Sequence, residues 1–185
     1  VVVTASAGIP TPTINNLSGG TELNCVRSTI NVSVTGGTSY SWSNGLGNNA
    51  NATITQPGIY TVTVTGSNGC SATAQITITT DVSAPNATIQ NNSNTTELTC
   101  TQTSIALTAN GGGNYSWSNS LGTSNSVNIT NPGDYTVTVT GTNGCTSTAS
   151  VSITRDITSP NTTIINNTGT VALTCTQTSI SLTAT

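Results

Sequence analysis

Five cysteines, Cys25, Cys70, Cys100, Cys145 and Cys175, are the residues of this 185-residue chain best suited to covalent chemistry. Their spacing alternates between 45 and 30 residues. Neither interval matches the short CxxC spacing of a zinc or redox site, and there is no histidine to complete a metal set. Disulfide formation in an oxidising compartment is the chemistry left to them. Catalysis has little else to draw on. A serine triad needs histidine and a Schiff base needs lysine, and the chain has neither. The acids Glu22, Asp81, Glu97, Asp134 and Asp156 are scattered, and the position equivalent to Asp134 is Ile59 in the sister segment. No enzyme and no cofactor are expected. Asp81 and Asp156 recur before Pro85 and Pro160, and a calcium site would need Glu97 to join Asp81. One recurring acid falls short of the clustered oxygens calcium requires, so a capped turn is the expectation and junctional calcium the alternative.

Charge narrows the partners. Arg27 and Arg155 are the only cations, and the net charge is −3. Nucleic-acid binding and docking on anionic lipid both draw on many Lys and Arg, so neither is expected. No apolar run approaches the roughly 20 residues of a membrane-spanning helix. The chain opens without Met or a charged leader and reads as a piece of a longer mature protein.

The elements that must carry the cysteines repeat. YTVTVTGSNGC at 60–70 returns as YTVTVTGTNGC at 135–145, a shift of 75. The same shift superimposes Pro10, Pro85 and Pro160, then Cys25, Cys100 and Cys175, Trp42 with Trp117, and Asp81 with Asp156. The expected organisation is the end of one repeat (1–9), two whole repeats (10–84 and 85–159) and the start of a further one (160–185). Each whole repeat holds two cysteines. That suggests bridges Cys25–Cys70 and Cys100–Cys145, with a neighbour link from Cys70 to Cys100 as the open alternative and Cys175 pairing beyond the fragment. A 75-residue domain is marginal on core burial alone, and closing a loop of this length adds roughly 4 kcal/mol in the chain-entropy model.

Within a repeat the apolar residues alternate. Tyr135, Val137 and Val139 share one face, while Thr136, Thr138 and Thr140 share the other. That period of two marks half-buried strands, expected near 86–91, 96–100, 104–109, 114–118, 126–130, 134–141 and 145–154. Gly111-Gly112-Gly113, Asn131-Pro132-Gly133 and Asn143-Gly144 supply turns between them, with Pro-Gly suited to a type II turn. Seven short strands and no helical periodicity predict an all-β fold of tandem immunoglobulin-like β-sandwiches. Leu98, Ile105, Leu107, Trp117, Leu121, Val127, Ile129, Tyr135, Val137, Val139, Val151 and Ile153 are the expected core of the second repeat. Trp42 and Trp117 lie between the cysteines of their repeats and are expected to pack near the bridge. Tyr60 and Tyr135 are expected to make corner contacts through their hydroxyls.

The stretches YSWSNGLG (40–47) and TQPGIYTVTVTGSNGCSATAQITI (55–78) resemble the SprB-type repeats of large gliding-motility adhesins of Bacteroidota. They are also similar to the wider PKD-like and Ig-like repeats, which share a Tyr-x-Trp strand and a Pro-Gly-x-Tyr-x-Val strand. The resemblance runs from about Gly36 to Thr79 and from Gly111 to Thr154, and the segment Ala84–Leu107 with Cys100 is an addition to the minimal repeat. It implies a very large secreted or cell-surface protein, exported by a type IX system, whose repeats form an adhesive fibre. Partners would be neighbouring repeats of the same chain, other fibre chains or surface glycans. A structural stalk or filament segment is the function expected. A carbohydrate- or ice-binding face of Thr61, Thr63, Thr65, Thr73, Thr77 and Thr79, or a self-assembling fibre, are the alternatives. Sequons such as Asn51, Asn86, Asn94, Asn128 and Asn161 are compatible with glycosylation at an outer surface.

Overall fold

The computed structural model describes residues 8–185, so most of the expected repeat end at 1–9 lies outside the described residues. All regular structure among the described residues is β-strand. The first set comprises β1 (Thr13–Asn16), β2 (Glu22–Asn24), β3 (Ile30–Thr35), β4 (Ser39–Trp42), β5 (Asn51–Ile54), β6 (Gly58–Thr65) and β7 (Ser71–Asp81). The second comprises β8 (Thr88–Asn91), β9 (Glu97–Leu98), β10 (Ile105–Asn110), β11 (Asn114–Trp117), β12 (Ser126–Ile129), β13 (Gly133–Thr140) and β14 (Thr146–Arg155). A hairpin of β15 (Ile164–Asn166) and β16 (Leu182–Ala184) comes last. The seven strands expected from alternation in the second set lie within two residues of these bounds.

Each set makes two sheets. In the first, β1-β3-β5 faces β2-β7-β6-β4; in the second, β8-β10-β12 faces β9-β14-β13-β11. Alternation explains the packing. On β6, Tyr60, Val62 and Val64 are buried while the threonines between them point outward. Opposite, β3 and β5 supply Ile30, Val32, Val34, Ala52 and Ile54. The second core repeats this with Ile105, Leu107, Ala109 and Ile129 against Trp117, Tyr135, Val137 and Ile153. Facing apolar rows, closed by hairpins, define a β-sandwich.

Two details bear on the cysteines and the turns. First, β2 crosses to the second sheet and pairs with β7 in parallel, Glu22 opposite Thr79 and Asn24 opposite Asp81. β9 does the same on β14, with Glu97 opposite Thr154. Second, the Pro-Gly pairs do not make the expected type II turn. Gly58 and Gly133 have φ of 151° and 148°, against about +80° in that turn, and each opens a strand. Only glycine adopts this region without strain, so the residue type was required for a different conformation.

Candidate functional site at the junction between the two sandwiches

The expected bridges Cys25–Cys70 and Cys100–Cys145 do not form. Cys25 is bonded to Cys145, with Cα atoms 5.0 Å apart, across 120 residues of sequence. Cys70, Cys100 and Cys175 are free and exposed. Strand direction is the reason. Because β2 runs parallel to β7, Cys25 follows the register pair Asn24–Asp81 and lies past the C-terminal end of β7. Cys70 lies just before its N-terminal end, Ser71. Eleven residues at about 3.3 Å each put these poles roughly 35 Å apart, far beyond the 4.4–6.8 Å a disulfide spans. The neighbour link Cys70–Cys100 is also absent, both thiols being free.

The pole carrying Cys25 is where the chain passes into the second sandwich, and the turn between β13 and β14 brings Cys145 to it. That turn is rigidly made. Gly141 N donates to Cys145 O (2.8 Å), Gly144 N to Gly141 O (3.0 Å), and Cys145 N to the Asn143 side-chain oxygen (3.1 Å). Asn143 Nδ2 then donates to Ser83 O in the linker (2.9 Å). Val26, beside Cys25, lies over Gly144: a Cβ there would fall 2.5 Å from the Val26 Cγ1, and its φ is +77°. The site therefore needs glycine twice over. Cys145 is 2% exposed and Asn143 is 8% exposed.

Asp81 belongs to the same junction. Its carboxylate accepts from Ser83 N (3.0 Å), and Asp156 likewise accepts from Thr158 N (2.9 Å), so both cap the turns leading to Pro85 and Pro160. The backbone N–H of Ser83, then its hydroxyl and the Asn143 amide, hold the Asp81 carboxyl below its ordinary value. The Thr158 hydroxyl and then its N–H do so for Asp156. A lowered folded-state pKa means that the stabilisation is present above the ordinary carboxyl value and is lost as pH falls through the lowered one. Glu97 sits in the β9–β14 register opposite Thr154. Among the described residues no three His, Cys, Asp or Glu side chains come together to hold a metal ion.

The aromatic residues belong to the cores. The Trp42 indole N–H donates to Asn49 O (3.0 Å) and that of Trp117 to Ser124 O (2.9 Å). With the disulfide at the pole, the tryptophans pack within the sandwiches without an intradomain bridge beside them. The Tyr60 hydroxyl donates to Gln56 O and that of Tyr135 to Asn131 O, both at 2.9 Å and each reaching back four residues. The outward face of β6 and β7 pairs Thr61 with Gln75, Thr63 with Thr73 and Thr65 with Ser71. It carries no charge along that register. A shallow groove lined by Asn91, Asn94, Thr95, Thr96, Glu97 and Thr154 brings a single carboxylate and no partner for acid–base work.

The junction makes a direct prediction. Alkylation of the native chain without reductant should label three thiols, Cys70, Cys100 and Cys175, and spare Cys25 and Cys145, as read by peptide mass spectrometry. Protection of Cys70 and Cys100 as well as Cys25 and Cys145, with Cys175 alone labelled, would restore the intradomain pairing.

The fold defines the class: an all-β chain of immunoglobulin-like sandwiches. No protein-family model and no curated protein matches the chain by sequence. Among solved structures it is similar to one from a 1.5-MDa bacterial ice-binding adhesin described for its retention on the host cell surface. The TM-score is 0.56 at 17% identity, covering 83% of this chain and 67% of that one. It is also similar to the fibronectin(III)-like modules of Clostridium thermocellum CbhA, with TM-score 0.37, 12% identity and coverage of 77% and 95%. Murine CEACAM1b gives 0.39 and 12%, covering 79% and 100%. No helix among the described residues is long and apolar enough to cross a membrane.

Proposed function

We propose that this chain is a non-catalytic structural segment of a large extracellular repetitive adhesin, in which covalently coupled sandwiches give reach and mechanical strength. The observation that carries this reading is the disulfide that leaves one sandwich and enters the next. A bridge inside a domain stabilises that domain; a bridge between successive domains fixes their relation and carries load past the strands it encloses. Such a bond persists in oxidising surroundings, which favours an extracellular setting. The likeness to a structure from a bacterial adhesin supports the fold of this reading, and the Tyr-x-Trp and Pro-Gly-x-Tyr strands support a kinship with gliding-motility adhesin repeats. Neighbouring repeats of the same chain are the proposed partners.

Poles joined end to end should give a rod. At about 3.3 Å per residue for strands of eight to eleven residues, plus the junction, two sandwiches span roughly 70–90 Å. Small-angle X-ray scattering of the oxidised chain should return an elongated particle of that length; a compact particle with the sandwiches side by side would sink the stalk reading. The hydroxyl-rich face of β6 and β7 favours a second reading, a carbohydrate- or ice-binding module. Gln75 Nε2 already donates to Thr61 Oγ1 (3.0 Å), which ties off part of that face. Retention of the chain on a glycan array or on ice would favour the binding module.

A further inference from the structure

The three free thiols are not leftovers, because the structure contains both halves of a second junction. The loop that presents Cys25 is closed by Asn24 N donating to Arg27 O (2.9 Å), with Asn24 Oδ1 accepting from Arg27 N (2.9 Å). The loop around Cys100 is closed the same way: Thr99 N donates to Gln102 O (2.9 Å), and Thr99 Oγ1 accepts from Gln102 N (3.0 Å). Thr101 stands in the place of Val26, with the same branched shape to cover a glycine. The Asp156–Thr158 turn matches the Asp81–Ser83 turn, whose counterpart linker gives the first junction its backbone acceptor Ser83 O.

The opposite half is equally complete. Gly66 N donates to Cys70 O (2.8 Å), and Cys70 N to Asn68 Oδ1 (3.1 Å), reproducing the turn at 141–145 bond for bond. Asn68 Nδ2 reaches Gly8 O (3.4 Å), the linker position that corresponds to Ser83. One difference separates the two turns. Gly144 is covered by Val26, whereas no described residue lies within 4 Å of a Cβ on Gly69. Accordingly Cys145 is buried and Cys70 is exposed. The same loop bonded in one unit and bare in the other identifies the surface that fits the bare one.

We propose that the Cys100 pole is a docking and cross-linking site for the Asn-Gly-Cys turn of a following repeat of this kind, and that the Cys70 turn is the matching surface for a preceding one. Each repeat would then be bonded to both neighbours. The inference rests on the tandem-array reading. The bond forms by exchange with a small-molecule disulfide: one thiolate attacks it and releases a thiol, the second thiolate displaces the other half, and the net products are one protein disulfide and two small thiols.

The test is a chain lengthened by one repeat, made by duplicating residues 85–159 in place and folding it in a glutathione redox buffer. The Cys25–Cys145 bond is its internal control for correct folding. The lengthened chain has seven cysteines, five plus the copies of Cys100 and Cys145, yet alkylation should still label three. Peptide mapping should join the first Cys100 to the second Cys145, and C100S should expose that second Cys145 to alkylation. Five labelled thiols, a Cys100–Cys145 bond within one repeat, or Cys100 bonded only between molecules would overturn the proposal. Scattering keeps the two readings apart. An extended particle with Cys100 unbonded fails this inference alone; a folded-back particle with Cys100 bonded fails the stalk alone.

Discussion

Stretched from its two ends, the oxidised chain should stop lengthening at a contour of roughly 220 Å, and reductant should release roughly 420 Å more. The residues outside the Cys25–Cys145 bond are 1–24 and 146–185, and about 3.5 Å per residue sets the first figure. The 120 residues of separation across the bond set the second. β1, β2 and β14 lie outside the bonded loop, so reaching that contour strips them from their sandwiches, while the bond shields the eleven strands β3 to β13 that it encloses. Bridges inside each sandwich would give a different record: residues 71–99 would extend under oxidising conditions, and reduction would add two steps of roughly 160 Å each. Single-molecule pulling with and without reductant reads the difference. Two such steps would exclude a bond between the sandwiches.

Trp117→Ala should melt the second sandwich selectively. Trp117 is 4% exposed and lies in a core with Leu98, Ile105, Leu107 and Tyr135, and its indole satisfies Ser124 O. Removing a buried Trp costs about 3–5 kcal/mol, and the orphaned carbonyl adds to that. A domain of this size holds a few to roughly 11 kcal/mol in total, so the variant should lose about 15–30 °C of midpoint. The first sandwich has its own cluster around Trp42 and should keep its transition. Trp42 is then the only tryptophan left, so fluorescence follows the first core while calorimetry records both. An equal drop in both transitions would mean that the two cores unfold as one unit.

The sandwiches were legible because burial and alternation are the same fact seen twice. Val137 and Val139 are buried because every second residue of a strand faces the same sheet surface, and the sequence records that surface directly. The disulfide was not legible. Alternation marks a face and says nothing of strand direction, and the short parallel pairing of β2 on β7 decides which pole Cys25 occupies. The repeat divides the cysteines into two kinds, and it is satisfied equally by a separation of 45 or of 45 plus 75, which is the observed 120. The turn Gly-x-Asn-Gly-Cys held a usable signal: a rigid turn ending in cysteine at a strand start places that cysteine at a pole. The Pro-Gly pairs misled for a related reason. Glycine reports that φ is positive, and two different conformations satisfy that report.

The bond also changes what a cut does to this molecule. Residues 25–145 form a closed ring, so a single backbone scission anywhere within it leaves one covalent molecule. Arg27 lies inside the ring and Arg155 outside it. A protease cleaving after Arg27 opens the ring without shedding anything, whereas cleavage after Arg155 frees the last 30 residues. If successive rings overlap as the free thiols suggest, the stretch shared by two rings would have a second covalent route on either side. The strand would then behave as a spliced rope, in which severing one yarn leaves the line intact.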